Sequence, residues 1–247
     1  LCAATHRLEF RLDHRQRTPA QKSQAVIFKL PAWVLAGGWA LAFIAGIVNV
    51  VGLLGFEHQA ISHLTGTTSM LAAALAARDF SAAGRLAAVI GSFLAGTVLS
   101  GFVIQDSTLQ LGRRYGVALL LESVLLCVSV PLFEHRNVCG VYAAACACGL
   151  QNAMVSTYSG AVVRTTHVSG MFTDLGIFLG HALRGLPVDS RRLRLCYLIT
   201  SGFLCGGIVG AVTFRSFGYA ALFIPGGLTA MTSLVYGLYG LRKAHRV

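Results

Sequence analysis

Two short phrases in this chain carry most of its chemistry. Residues 63–72 read HLTGTTSMLA, and residues 167–176 read HVSGMFTDLG. Each begins with a histidine, follows with a Ser or Thr and a Gly, and places a further Ser or Thr at 69 or 173. Imidazole, hydroxyl and carboxylate groups at this density suit contact with a small polar solute or a proton. The candidate contacts are His63, Thr65, Gly66 and Thr67 in the first phrase, and His167, Ser169, Gly170 and Thr173 in the second. Ser, Thr and Asp are favoured helix N-caps, so each phrase is expected to open a helix. A helix that opens inside a membrane points its positive end and unpaired N–H groups at whatever occupies the cavity, which favours anions. The plainer alternative is that each phrase caps a short helix and packs closely through its glycine.

Other polar residues stand at matched places. Asn49 closes the run Gly46-Ile47-Val48-Asn49, and Asn152 closes Gly149-Leu150-Gln151-Asn152, each one segment before a His phrase. These amides either line a site or join helices by hydrogen bonds. Glu122 lies alone in VALLLESVLLCVSV, where an ionisable group is costly and usually faces a partner or an aqueous path. It suits proton uptake and release; an interfacial anchor is the alternative. Asp174 is the second acid, and Arg164 is a potential partner for either.

Reaction chemistry finds little support. Two histidines far apart in sequence, with Glu122 and Asp174, could be drawn as a metal or hydrolase site. No HExxH, GxSxG or comparable motif accompanies them. Ser69, Ser159 and Ser169 have no sequence context that would make them nucleophiles. No enzyme activity, metal or cofactor is expected. The seven cysteines include no CxxC pair and read as small core residues.

The elements that must position these groups are apolar helices. The chain has 247 residues, 55% hydrophobic and only 12% charged, about half the charge of a soluble domain. Its apolar blocks run near 33–55, 62–77, 84–104, 115–133, 138–158, 167–184, 194–214 and 217–241. Most approach the roughly 20 residues that cross a bilayer. The expected fold is an all-α polytopic transmembrane helix bundle lying in the lipid bilayer. The order long, short, long, long occurs twice, and Ser92, Gly96 and Ser100 are answered by Gly202, Gly206 and Gly210. An internal duplication is therefore expected: a basic, disordered or interfacial arm at 1–32, repeats at 33–134 and 135–241, and a basic tail at 242–247. The small-residue stripes could also join two chains, so a homo-oligomer is possible on sequence grounds.

The net charge of +11 does not indicate nucleic acid, because the basic residues form no patch with interleaved aromatics. Their distribution places both termini in the cytoplasm, with 16 Lys/Arg inside and 4 outside. Eight full spans and six spans with two re-entrant segments give the same tally. The first predicts parallel repeats, the second inverted ones.

The phrases GIVNVVG…HLTGTTSML and CGLQNAMVSTYSGAVVRTTHVSGMFTDLG resemble the YoaK-like family of bacterial inner-membrane proteins, a family filed as a domain of unknown function. The resemblance covers roughly residues 35–240; family members usually carry Met-Thr-Gly-Asn where this chain has Leu64-Thr65-Gly66-Thr67. It implies an inner-membrane location and names no substrate. The residues themselves suggest a small secondary transporter or permease for a small polar or anionic solute, with proton coupling through Glu122 and Asp174. The alternative is a membrane scaffold or sensor subunit.

Overall fold

A computed structural model of the chain describes residues 32–56, 58–104, 113–158 and 165–244. The basic arm up to residue 31, Ser159, Arg164 and residues 245–247 lie outside the described residues. The described residues form eight α-helices: α1 Ala32–Leu54, α2 Leu64–Ala76, α3 Phe80–Val103, α4 Arg113–Glu134, α5 Cys139–Tyr158, α6 Val168–Leu183, α7 Ser190–Phe217 and α8 Phe223–Ala244. A 3-10 turn, Gly218–Leu222, joins α7 to α8. No strand occurs among the described residues.

Four stretches are long and apolar enough to cross a membrane: Leu35–Leu54, Phe80–Val103, Arg114–Glu134 and the 47-residue run Ser190–Tyr236 that contains α7 and α8. Multiple apolar helices of this kind are those of a multi-pass membrane protein. The outward faces agree: Leu94, Val98 and Phe102 on α3, and Leu204, Ile208 and Val212 on α7, are exposed. Exposed apolar side chains repeating once per turn suit lipid. α5 is not among the four stretches, because Gln151 and Asn152 lower its apolarity. It tolerates them because it is enclosed by protein: none of residues 140–157 is exposed.

Two core clusters give each long helix a direction. One gathers the first halves of α1, α4 and α7 (Ala42, Leu119, Ile199) with the last parts of α3 and α5 (Ile104, Met154). The other gathers the later halves of α1 and α4 (Val51, Phe133) with the early parts of α3 and α5 (Val89, Val141), and with Leu222 ahead of α8. So α1, α4 and α7 run one way, and α3, α5 and α8 run the other. The antiparallel crossing of α4 and α8 is sealed twice. Ser123 Oγ donates to the Gly226 carbonyl at 2.8 Å, and Ser233 Oγ donates to the Gly116 carbonyl at 2.6 Å.

Close pairs of long helices meet through glycine. A Cβ on Gly206 would strike the Phe43 carbonyl of α1, and one on Gly46 would strike the Phe203 carbonyl of α7. On α3 and α5, Gly96 faces the Cys146 carbonyl and Gly149 faces the Phe93 carbonyl in the same way. Small residues let these backbones approach and gain dispersion contacts in a medium where burial from water contributes nothing. The short helices sit outside this core: α2 packs on α3, and α6 packs on α7. Aspartates cap α3 and α7. Asp79 accepts from Ala82 N–H, and Asp189 accepts from Arg191 and Arg192 N–H.

Candidate functional site

The two His phrases adopt the same local structure. His63 and His167 are the N-cap residues of α2 and α6, with nearly equal dihedrals (φ −87°, ψ 65° and φ −88°, ψ 55°). Neither imidazole caps its own helix. Each ring lies over the glycine three residues on, occupying the space that a Cβ at Gly66 or Gly170 would need. The glycines are there for the ring. The expected capping by Ser and Thr does not occur. The helices start at Leu64 and Val168, so the hydroxyls fall inside them and bond backwards to carbonyls. Thr67 donates to His63 C=O at 3.2 Å, Ser69 to Thr65 C=O at 3.1 Å, and Thr173 to Ser169 C=O at 3.0 Å.

Each phrase is tied to a long helix by its asparagine. Asn49 donates to Ser62 Oγ at 2.6 Å and accepts from Ser62 N–H at 2.9 Å. Asn152 donates to Thr166 Oγ1 at 2.8 Å and accepts from the hydroxyls of Thr165 and Thr166 at 3.2 and 3.1 Å. In both cases the amide grips the residue just before the histidine. At 1.5 Å per residue, Asn49 lies roughly 8 Å short of the end of α1, and Asn152 about 9 Å short of the end of α5. Each short helix therefore opens beside a point five or six residues before the end of the long helix that holds it. α1 and α5 run oppositely, so the two openings lie toward opposite ends of the bundle.

The predicted site residues are thus not gathered at one point. Ile61, beside the first phrase, lies in one core cluster, and Met171 of the second phrase lies in the other. His63, Thr65, His167, Ser169 and Thr173 are exposed, Gly66 and Gly170 half-buried, and Thr67 buried. Asp174 pairs with Arg192 on α7 at 3.1 Å, and Arg192 also lies 5.9 Å above the Phe178 ring. No group of three His, Cys, Asp or Glu side chains with metal-holding geometry occurs among the described residues.

Glu122 is fully enclosed, 2% exposed, between α4 and α5. Gln151 donates to its Oε1 at 3.0 Å, and Thr165 Oγ1 lies 3.4 Å from Gln151 Oε1. Sequence reading singled out Glu122 and missed both companions. In the sequence Gln151 stands out only as the neighbour of Asn152, and Thr165 only as part of the longer phrase. A cleft of about 440 Å³ also escaped it. Phe56, Phe133 and Tyr219 wall this cleft, and His58, Glu134 and Arg136 also line it. Tyr219 stacks on Phe133 and accepts from Phe56 N–H at 2.8 Å.

A bundle of apolar helices with two short helices opening inside it defines a multi-pass membrane protein. Its family follows from the profile described as Protein of unknown function (DUF1275), which matches residues 37–235; the chain belongs to that family. No curated protein and no solved structure matches it.

Proposed function

We propose that this protein is a small secondary transporter or permease for a small polar or anionic solute, proton-coupled through Glu122. The observation that carries the reading is the pair of helix starts, α2 and α6, each pinned inside the layer and entering from opposite ends. Discontinuous elements with inward-pointing N-termini are a recurring means of binding anionic groups in secondary transporters. The candidate solute contacts form two separate places, His63, Thr65, Gly66 and Thr67 in one half and His167, Ser169, Gly170 and Thr173 in the other, with Asn49 and Asn152 holding each in place. Asp174 is the second acid of the coupling. No reaction chemistry and no bound cofactor form part of this reading.

The bundle is an internal duplication of inverted topology, with repeats at 33–134 and 135–241. The pairing pattern supports it. α1 packs on α7 as α5 packs on α3, the aspartate caps recur on the third helix of each half, and the Ser123–Gly226 bond answers Ser233–Gly116. Six helices then cross, and α2 and α6 re-enter from opposite sides. The charge distribution puts both termini in the cytoplasm of a bacterial inner membrane. The YoaK-like grouping rests on the quoted motifs.

A scaffold or sensor role is the second reading. It is favoured by the exposure of both histidines and by the Asp174–Arg192 ion pair, which already neutralises one of the two acids. Uptake of anionic metabolites into proteoliposomes separates the readings. Transport predicts uptake that falls at least tenfold in both His63→Ala and His167→Ala, a loss of about 1.4 kcal/mol or more. Equal uptake by all three proteins removes the histidines from the site.

A further inference from the structure

The two halves of the fold differ at one place in a way that packing does not require. Setting Asn49 against Asn152 puts Val48 opposite Gln151, and setting Ser62 against Thr166 puts Ile61 opposite Thr165. Val48 and Ile61 are 2% and 1% exposed and sit in one apolar cluster. The asparagine clamp therefore works with apolar neighbours in the first half. In the second half Gln151 and Thr165 are just as buried, and they join Glu122 in a chain of hydrogen bonds. Three buried polar groups cost free energy that an apolar set would not. The chain ends on Glu122 Oε2, which has no hydrogen-bond partner among the described residues.

We propose that Glu122, Gln151 and Thr165 form a proton-binding site, and that the bound proton holds the start of α6 where it is seen. This deepens the proton-coupled reading above and rests on it. With the proton on Oε2 the carboxyl is neutral and accepts from Gln151 at Oε1, leaving one unpaired O–H, a smaller cost than an unpaired buried charge. When its O–H bond breaks, the proton leaves on a water molecule and both oxygens of the carboxylate demand donors. The network offers two further donors, an entering water and the Thr165 hydroxyl, one link away through Gln151. Recruiting Thr165 takes its hydroxyl away from Gln151 and Asn152 and loosens the clamp ahead of His167. Gln151 presents its N–H to the carboxyl, a donor that suits an acid and repels a metal cation.

Few other titratable groups face this site. On α5 the Cys148 thiol is close enough to interact with Glu122, and Cys146 adjoins Cys148. Tyr219 of the 3-10 turn stacks on Phe133 at one end of α4, and Tyr236 of α8 joins the cluster of Tyr115 at the other. The end of α3 presents Ser100 and, just past the helix, Ile104, neither of which titrates.

Hydrogen exchange of the full chain in lipid nanodiscs tests the proposal, with intrinsic exchange chemistry divided out. Between about pH 5 and about pH 9, residues 165–172 of the wild type should exchange about tenfold faster at the alkaline end. In Glu122→Gln, a neutral isostere, the same segment should stay slow throughout. Residues 61–69, which lack the acid, should be unresponsive in both proteins. An equal pH response in wild type and Glu122→Gln, or none in the wild type, overturns the proposal. If Glu122→Gln does not fold, infrared difference spectra of the wild type decide. A protonated-carboxyl band that disappears with the same midpoint as the exchange change supports the site, and no such band overturns it. Neither readout involves a solute, so failure of transport and failure of the proton site are separately visible.

Discussion

At the scale of single residues, the matched asparagines act first as clamps. Asn49 and Asn152 each join the residue before a histidine to a carbonyl one turn back on their own helix, Ala45 and Cys148. Replacing either with Leu removes several hydrogen bonds and leaves a half-buried hydroxyl on Ser62 or Thr166 short of a partner. Each substitution should cost about 1–2 kcal/mol. For a chain of this size that lowers the melting temperature by roughly 2–8 °C. Thermal unfolding in detergent measures it, and an unchanged melting point for Asn49→Leu would remove the clamp. Sequence spacing singles out both asparagines but leaves glue and ligand contact equally open. The deciding facts are partner identities, which spacing does not encode: Ser62, Thr165 and Thr166 lie 13 or 14 residues away. Asp174 was similarly opaque. Its partner, Arg192, is brought near by the turn between α6 and α7 rather than by any local pattern.

At the scale of elements, hydropathy locates each of the eight helices among the described residues, but its boundaries follow the membrane rather than the hydrogen bonds. It began the third helix near 84, whereas Asp79 starts α3 at Phe80; it began the seventh near 194, whereas Asp189 starts α7 at Ser190. A polar first turn is invisible to an apolar window, yet its cap is written in the sequence as an aspartate. The glycine stripes were legible as close-contact surfaces; which helix each one meets was not. That pairing gives a sharp contrast. Gly206→Val drives a side chain into the Phe43 carbonyl of α1, backbone that cannot turn aside. Overpacking of this kind should cost about 1–3 kcal/mol, and more if α1 and α7 separate. Gly176→Ala on α6 meets nothing within 4 Å and should be neutral or slightly stabilising. Chemical or thermal unfolding of the two variants side by side checks it. Equal loss in both would mean that the α1–α7 contact is not where the bundle is tight.

At the scale of the whole molecule, the charge tally could not choose a topology because the loops that change sides carry offsetting charges. Arg78 and Arg85 leave the cytoplasm in the inverted arrangement as Arg113 and Arg114 enter it. Helix direction supports the inverted arrangement proposed above. Had α2 crossed fully, α4 would run against α1 and alongside α8. Instead Phe133, near the end of α4, stacks on Tyr219, and Tyr219 meets Phe56 just past the end of α1. The ends of α1 and α4 therefore share one face, and an even number of full crossings lies between them only if α2 turns back. The same reasoning applied to α5 and α7 returns α6 to the other face. Reporter enzymes inserted in the two connecting segments discriminate directly. A reporter after Ala77 should be periplasmic and one after Arg114 cytoplasmic in the inverted arrangement, with the assignments reversed for eight spans. One after Arg184 should be cytoplasmic in both and serves as the control. A cytoplasmic reporter at Ala77 would also withdraw the opposed entry of the two His phrases. The solute path would then have to be sought elsewhere, with the aromatic cleft between Phe56, Phe133 and Tyr219 as the next place to look.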